Sequence, residues 1–217
     1  MCAGTLERAV HRLSGAHGPQ YWWPADSPFE MAVGAVLVQN ASWRNAELAL
    51  DNLRTATGFD AAVVARASLA NLETYLRPSG TFRIKARRVM ALASWWCREF
   101  ESATALPTED LRAALLGLHG IGPETADCIV LYAFSRPAFI ADAYARRWLY
   151  RMGLTDQDAS YDTVQRFGQE HLPQDVSLLQ EAHALIVRHN QSHCLVRQPS
   201  CAGCTLQRNC ARVGLTT

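Results

Sequence analysis

The sequence is poor in lysine, in long apolar runs and in strand-like alternation. Only Lys85 among its 21 basic residues is a lysine, so amine nucleophiles are limited to this side chain and the N-terminal amine. The apolar stretches are shorter than a membrane span, and no basic segment followed by an apolar run opens the chain. We therefore expect a cytoplasmic protein with no membrane contact. Because alternating apolar and polar residues are missing, the fold is predicted to be all-α.

The net charge is only +1, so the overall charge does not point to a nucleic acid. The basic residues are nevertheless segregated. Residues 74–98 contain six of them and residues 182–217 contain four arginines, with no acid in either stretch. Such stretches could form a phosphate-binding patch or be ordinary solvated helix faces, and charge alone leaves both open.

Helix signals dominate the chain, and roughly nine to eleven helices are expected. Gln39 and Asn40 are polar intrusions in the first long run. Pro123 suits the first turn of a later helix. The runs that predict helices are 29–53, 61–76, 84–99 and 111–117.

A glycine-rich turn separates two of the predicted helices. Gly120 and Gly122 let the chain turn tightly and approach another backbone, and Ile121 between them is expected to point into the helix pair. The helix that follows, which carries Thr125, would offer N–H groups and its positive end to a phosphate. A plain helical hairpin is the alternative, but the flanking Leu-x-Gly and Thr-Ala-Asp favour a DNA-binding hairpin.

Asp142 is the only acid between Asp127 and Asp156, and it follows an apolar run. A carboxylate here could stabilise positive charge on a sugar ring or orient an attacking water. It is equally suited to cap a helix that begins at Ala143. The two roles are compatible.

Four of the seven cysteines crowd together near the C-terminus. In a chain without a secretion signal, such a cluster predicts metal binding rather than disulfides. Four thiolates could hold a [4Fe–4S] cluster or a tetrahedral zinc ion. The series is Cys194-x6-Cys201-x2-Cys204-x5-Cys210.

The hairpin, the apolar segment ending at Asp142 and the cysteine series together resemble the helix-hairpin-helix Gly/Pro-Asp DNA glycosylases of the endonuclease III type. The resemblance runs from about Pro28 to Cys210. It implies two helical lobes flanking a DNA-binding cleft: a six-helix barrel with the hairpin at 26–135, and a lobe made of 1–25 and 136–217. It also implies a [4Fe–4S] cluster on the four cysteines, a monovalent cation on hairpin carbonyls, and double-stranded DNA with a damaged base as the partner of a monomer.

The same resemblance implies roles for single residues. Asp142 is the position required for base excision. Bifunctional members carry a lysine just after the hairpin, whose amine attacks the sugar and permits strand nicking, whereas this chain has Glu124. Contacts with the DNA backbone are expected from Lys85, Arg146 and Arg197 as well as from the hairpin.

Aromatic residues flank the first long helical run, and an extruded base needs flat apolar surfaces to stack on. This pattern, with an acid in place of the lysine, resembles the 3-methyladenine glycosylase branch of the endonuclease III family. Gln39 or Asn40 would then fill the gap in the duplex, although Gln39 could instead bond a helix end. The aromatics could also simply pack between domains. The residues expected to line the base pocket are Trp22, Trp23, Pro24 and Trp43.

The predicted function is therefore a monofunctional glycosylase that uses water and favours alkylated purines such as 3-methyladenine. One alternative is a glycosylase with AP lyase activity on oxidised pyrimidines that works despite Glu124. Another is a DNA-binding relative that has lost catalysis, and a third is a protein whose cysteine loop holds zinc.

Overall fold

The computed structural model describes residues 4–215, and the regular structure in that range is helical throughout, which confirms the all-α prediction. None of the helices in this range is both long and apolar enough to cross a bilayer. Arg77–Ser79 forms a 3₁₀ turn and Ile129–Ala133 a π-helix. The α-helices are α1 (Thr5–His17), α2 (Pro28–Leu37), α3 (Trp43–Thr57), α4 (Ala61–Arg66), α5 (Leu69–Leu76), α6 (Phe82–Ala105), α7 (Thr108–Leu116), α8 (Pro123–Cys128), α9 (Ala143–Met152), α10 (Tyr161–His171) and α11 (Val176–Ser192).

The chain divides into two compact units. Trp23–Arg136 forms the central unit, which contains α2 to α8 and the π-helix. The residues up to Trp22 and from Pro137 onward form the terminal unit, which contains α1, α9, α10, α11 and the four clustered cysteines. The limits expected from the sequence, 26–135, differ from the central unit by three residues at its start and one at its end.

α2 is the buried centre of the central unit. Ser27 caps it by accepting the Glu30 N–H at 3.1 Å, and Pro28 occupies the first turn. Every residue of α2 after Pro28 is buried, and the helix packs against α3, α6, α8 and the π-helix. The helix is apolar apart from Glu30, which pairs with Arg54, and a helix of this composition suits a buried position.

The run 29–53 was wrongly predicted as continuous, because it forms two helices, α2 and α3. Asn40 adopts a left-handed φ of +50°, and Ser42 caps α3 from outside the helix. Short polar side chains compete with the helical hydrogen bonds in this way. Gln39 and Asn40 therefore lie in a turn and not inside a helix.

The run 61–76 is also interrupted, and α4 and α5 replace the single helix predicted there. Ser68 accepts the N–H of Asn71 at 3.2 Å and so begins α5. The helix predicted over 84–99 is in contrast longer than expected and extends to Ala105.

In the terminal unit, α1 and α9 pack against α11, and α1 also contacts α10. α11 is buried almost continuously between Leu179 and Asn190, which accounts for its apolar sequence. α10 contains Gly168 where a side chain has no room, because a Cβ there would lie 2.2 Å from Cγ of Phe139. This close approach holds α10 against the apolar segment that precedes α9.

Candidate active site

The two glycines of the hairpin between α7 and α8 have different structural tasks. Gly120 has a φ of +86°, and a Cβ on it would lie 2.2 Å from Nε of Arg88. Gly122 has an ordinary φ of −90°, and a Cβ on it would meet nothing within 4 Å. Ile121 is 5% exposed and points into the unit, as expected. Gly120 is thus required by internal packing, whereas Gly122 borders open space that a phosphate could approach.

Gln39 is committed to the hairpin. Its amide nitrogen donates to the carbonyl of Gly120 at 3.1 Å and to the hydroxyl of Thr125 at 2.8 Å. Arg88 donates to the amide oxygen of Gln39. With both ends of the amide bonded, Gln39 is a brace for the turn, so its predicted role in filling the duplex gap is corrected.

The side chain of Thr125 belongs to the hairpin, and the expected contact of its helix with a DNA phosphate stays a prediction. The residue is 7% exposed, and its Oγ1 accepts the hydrogen bond from Gln39. The carbonyl of Gly120 accepts a hydrogen bond from the same amide, and the predicted monovalent cation at the hairpin stays a prediction. Glu124 is exposed in the first turn of α8.

Lys85 is also corrected, because it is 1% exposed and cannot reach a phosphate. Its Nζ donates to the carbonyls of Leu37 at 2.8 Å and Ser79 at 2.6 Å. Burial, with a smaller contribution from Arg88, lowers the pKa of the Lys85 amine from 10.5 to about 8. The only lysine therefore ties the end of α2 to the 3₁₀ turn.

Two of the three predicted pocket aromatics meet in the central unit. The rings of Trp23 and Trp43 lie edge to face with centroids 5.3 Å apart, and Tyr132 contacts Trp23 with centroids 5.7 Å apart. The ring of Trp23 also packs on α2 at Gly34, where a Cβ would lie 3.4 Å from Nε1 of Trp23. We call Trp23, Trp43 and Tyr132 the indole cluster.

The other candidates from this part of the sequence are not members of the indole cluster. Pro24 and Asn40 are exposed. Trp22 belongs to the terminal unit, where its ring meets His183 edge to face with centroids 6.5 Å apart.

Asp142 is a buried carboxylate, 8% exposed, at the N-terminus of α9. Its Oδ1 accepts the N–H of Ala145 at 2.7 Å, so the capping role is present. Its Oδ2 lies 3.8 Å from Nε2 of His183, too far for a hydrogen bond but close enough for attraction when the imidazole is protonated. Oδ1 thus fixes the side chain, and Oδ2 remains available to act on a substrate.

Arg146 and Arg197 are exposed, as a contact with DNA requires. Arg146 lies on α9, four residues after Asp142, and donates a long hydrogen bond of 3.4 Å to the carbonyl of Ala159. Their roles in binding phosphate stay predictions.

The four clustered cysteines line one cavity of the terminal unit, together with apolar residues of α9. Arg151, 7% exposed, donates to Sγ of Cys194 at 3.3 Å and to three successive carbonyls, at Cys194, Leu195 and Val196. Sγ of Cys210 lies 3.3 Å from the carbonyl of Arg151. The arginine thereby anchors the chain that carries the first thiol.

The donor set of this cavity fits a group that binds four thiolates. Burial raises the pKa of the Cys204 and Cys210 thiols, so thiolates here need a compensating positive group. A bound cluster or metal ion would supply that charge, and the buried guanidinium of Arg151 would add to it.

Sequence reasoning missed four residues of these sites. Arg88 and Tyr132 carry no signal, because their partners are remote in the chain. Arg151 resembles any basic residue in the last turn of a helix. His183 had a usable signal, since it is a polar residue within the apolar run of α11.

Comparisons with known proteins agree with these features. The model of the family described as "HhH-GPD superfamily base excision DNA repair protein" matches residues 33–174. A protein of Methanocaldococcus jannaschii, provisionally named a DNA repair glycosylase, is 34% identical over 199 residues, covering 89% of this chain and 90% of that protein. The H. pylori 3-methyladenine DNA glycosylase bound to 1,N6-ethenoadenine superposes with a TM-score of 0.74 at 26% identity, covering 86% of this chain and 97% of that one. An endonuclease III in a trapped covalent intermediate with DNA shares the fold, with a TM-score of 0.83 at 21% identity and coverage of 98% and 97%.

Proposed function

This chain belongs to the HhH-GPD superfamily of base excision DNA repair proteins and is a DNA repair glycosylase of that family; on this premise we propose that it is monofunctional and releases alkylated purines. The observation that carries the proposal is the state of Asp142. It is buried, and its Oδ1 is fixed by the N–H of Ala145. Its Oδ2 lies 3.8 Å from Nε2 of His183, which is too far for a hydrogen bond.

The proposed reaction uses water and the carboxylate of Asp142. The glycosidic bond breaks with its electron pair going to the base nitrogen, and the carboxylate stabilises the positive charge left on the sugar. Water adds to C1′ and gives its proton to the carboxylate. Since Oδ1 is held by the Ala145 N–H, the side chain needs little reorganisation in this step.

The absence of lyase chemistry is proposed from Glu124 and Lys85 together. Glu124 stands at the position where bifunctional relatives have the nucleophilic lysine, and a carboxylate cannot form a Schiff base. Lys85 cannot replace that lysine, because its amine is buried against the carbonyls of Leu37 and Ser79. No other lysine exists in the chain.

A preference for alkylated purines is proposed from the indole cluster. Electron-poor bases gain cation–π stabilisation on electron-rich indoles, and these bases also have weakened glycosidic bonds. The H. pylori relative, a 3-methyladenine glycosylase bound to an etheno-purine, supports the same substrate class. Asn40, exposed in the turn after α2, is the proposed residue for the gap in the duplex.

DNA backbone binding is proposed for Gly122, the N-terminus of α8, Arg146 and Arg197; Gly122, Arg146 and Arg197 are exposed. The cysteine cavity is proposed to hold a [4Fe–4S] cluster through Cys194, Cys201, Cys204 and Cys210. The cluster would be structural and fix the loop that presents Arg197. We expect the protein to act as a monomer.

One panel of duplexes tests the proposal. Each duplex carries a single lesion, either an alkylated purine or an oxidised pyrimidine, and is assayed with and without alkaline cleavage of the strand. Release of alkylated purines, with strand breaks only after alkali and no borohydride-trapped adduct on abasic DNA, is the expected result. Strand breaks without alkali, together with a trapped adduct, would establish the lyase alternative, and no base release from any duplex would favour the inactive relative.

A further inference from the structure

Three histidines converge in the terminal unit at the ends of two packed helices. His17 lies in the last turn of α1, and His189 and His193 lie at the end of α11. One ring nitrogen from each lies within 4.8 Å of the other two. His17 and His193 are half-buried and His189 is buried, so the group is neither a loose surface set nor sealed from solvent.

The local geometry suits a metal ion. His189 and His193 are four residues apart, the spacing that places two imidazoles on one face of a helix, and their rings are nearly parallel at 7°. Nε2 of His17 lies 3.3 Å from Nδ1 of His189. Two nitrogens bound to one tetrahedral zinc lie about 3.4 Å apart, given Zn–N bonds of 2.0–2.1 Å.

The ends of α1 and α11 favour a cation at this group, whereas the nearby guanidinium of Arg188 opposes one. α1 and α11 pack together and both end at this group, so the negative ends of two helix dipoles meet there. The remaining nitrogens have partners that suit ligating histidines: Nε2 of His189 lies 3.7 Å from Sγ of Cys204, and Nδ1 of His193 lies 2.9 Å from Oγ of Ser192. Such partners orient a ligating imidazole through its second nitrogen.

We propose that His17, His189 and His193 form a binding site for a divalent transition-metal ion beside the four-cysteine cavity, whose lining includes His189 and His193. Nε2 of His17, Nδ1 of His189 and Nε2 of His193 supply three ligands. Because His193 is half-buried, water can reach the site as the fourth ligand. The imidazole of His193 can also move towards the other two and shorten the longest nitrogen–nitrogen distance, 4.8 Å at most, to the value that zinc requires. A direct hydrogen bond between His17 and His189 with no metal is the competing explanation of the 3.3 Å contact.

Zinc is the probe. Purified protein that retains its iron is treated with a chelator, titrated with Zn²⁺ by calorimetry, and then examined by zinc X-ray absorption. We expect one zinc per chain with nitrogen ligands at about 2.0 Å. His193→Ala and His17→Gln each remove a ligand and should weaken zinc binding by at least about tenfold, since even outer-shell partners are worth 10–100-fold.

His11→Ala is the matched control, because His11 lies on α1 with an exposed side chain outside the group and should leave the zinc affinity unchanged. The melting temperature of each variant reports whether it folds. The proposal is overturned if the wild type binds no zinc, or if His193→Ala and His17→Gln bind it as the wild type does. Sulfur ligands at about 2.3 Å would also overturn it, since they would place the zinc at the cysteines. Iron content is measured in parallel and tests the cluster independently of the histidine site.

Discussion

Replacement of Gly120 by alanine should destabilise the protein through two separable effects. The residue has a φ of +86°, and holding an L-residue in left-handed backbone costs about 1–2 kcal/mol. The new Cβ would also lie 2.2–2.5 Å from Nε, Cδ and Cγ of Arg88. Moving Arg88 breaks its bond to Gln39, and a hydrogen bond to a charged group is worth about 1.5–3 kcal/mol. We expect a loss of roughly 3–4 kcal/mol in the free energy of unfolding.

Urea unfolding followed by tryptophan fluorescence measures this loss, and the melting temperature should fall by roughly 6–16 °C for a chain of this size. Gly122→Ala is the matched control in the same turn. Its φ is ordinary and its surroundings are open, so its stability should change by less than about 1 kcal/mol. Its affinity for DNA should nevertheless fall, because the methyl group occupies the proposed path of the phosphate.

A double-mutant cycle with Arg88→Ala separates the two effects. Without the arginine side chain, Gly120→Ala should cost only the backbone contribution of about 1–2 kcal/mol. The reasoning is refuted if Gly120→Ala costs less than about 0.5 kcal/mol. It is also refuted if the cost is the same with and without Arg88.

Three further predictions concern charged side chains. Glu124→Lys places an amine at the lyase position, so borohydride should trap an adduct of this variant with abasic DNA that the wild type does not form. If the variant binds DNA but forms no adduct, residue 124 is not the position of the nucleophile. Folding lowers the pKa of Lys85 from 10.5 to about 8, so the unfolded chain binds more protons than the folded one between these pH values. The free energy of unfolding should therefore rise by up to roughly 3 kcal/mol as the pH rises through that window. Urea unfolding at both ends of the window checks this, and Lys85→Met should lose that pH dependence while being less stable at pH 8, where two buried carbonyls lose their donor. Arg151→Met removes the donor to Cys194 and the adjacent carbonyls, so the purified protein should contain less iron and lose its visible absorbance faster in air. Unchanged iron content would show that Arg151 does not support the loop.

The sequence predicted the features that depend on neighbouring residues. Pro123 begins α8, Asp142 caps α9, and the glycine turn stands between two helices. Each is decided by backbone preferences and by hydrogen bonds over a few residues. The interruptions of the two predicted helices depend on equally local signals, the left-handed backbone of Asn40 and the capping hydroxyl of Ser68. A prediction from apolar periodicity alone does not detect these signals.

The remaining features depend on partners far away in the chain. Lys85 can be buried because a carbonyl 48 residues earlier accepts a hydrogen bond from its amine, and Gln39 donates to a carbonyl 81 residues later. His17 and His189 meet across 172 residues. Periodicity and motif spacing contain no information on such pairs, so a basic residue in a basic stretch was predicted to bind DNA when its amine is internal.

The central claim is that the carboxylate of Asp142 performs base excision in addition to capping α9. Asparagine caps a helix about as well as aspartate but has no charge, so Asp142→Asn should stay folded within about 0.5 kcal/mol of the wild type. The direct measurement is the single-turnover rate of base release from alkylated duplex DNA by the two proteins. A fall of at least about 100-fold at equal stability and equal DNA affinity is the predicted result. Release by Asp142→Asn at the wild-type rate would contradict the account.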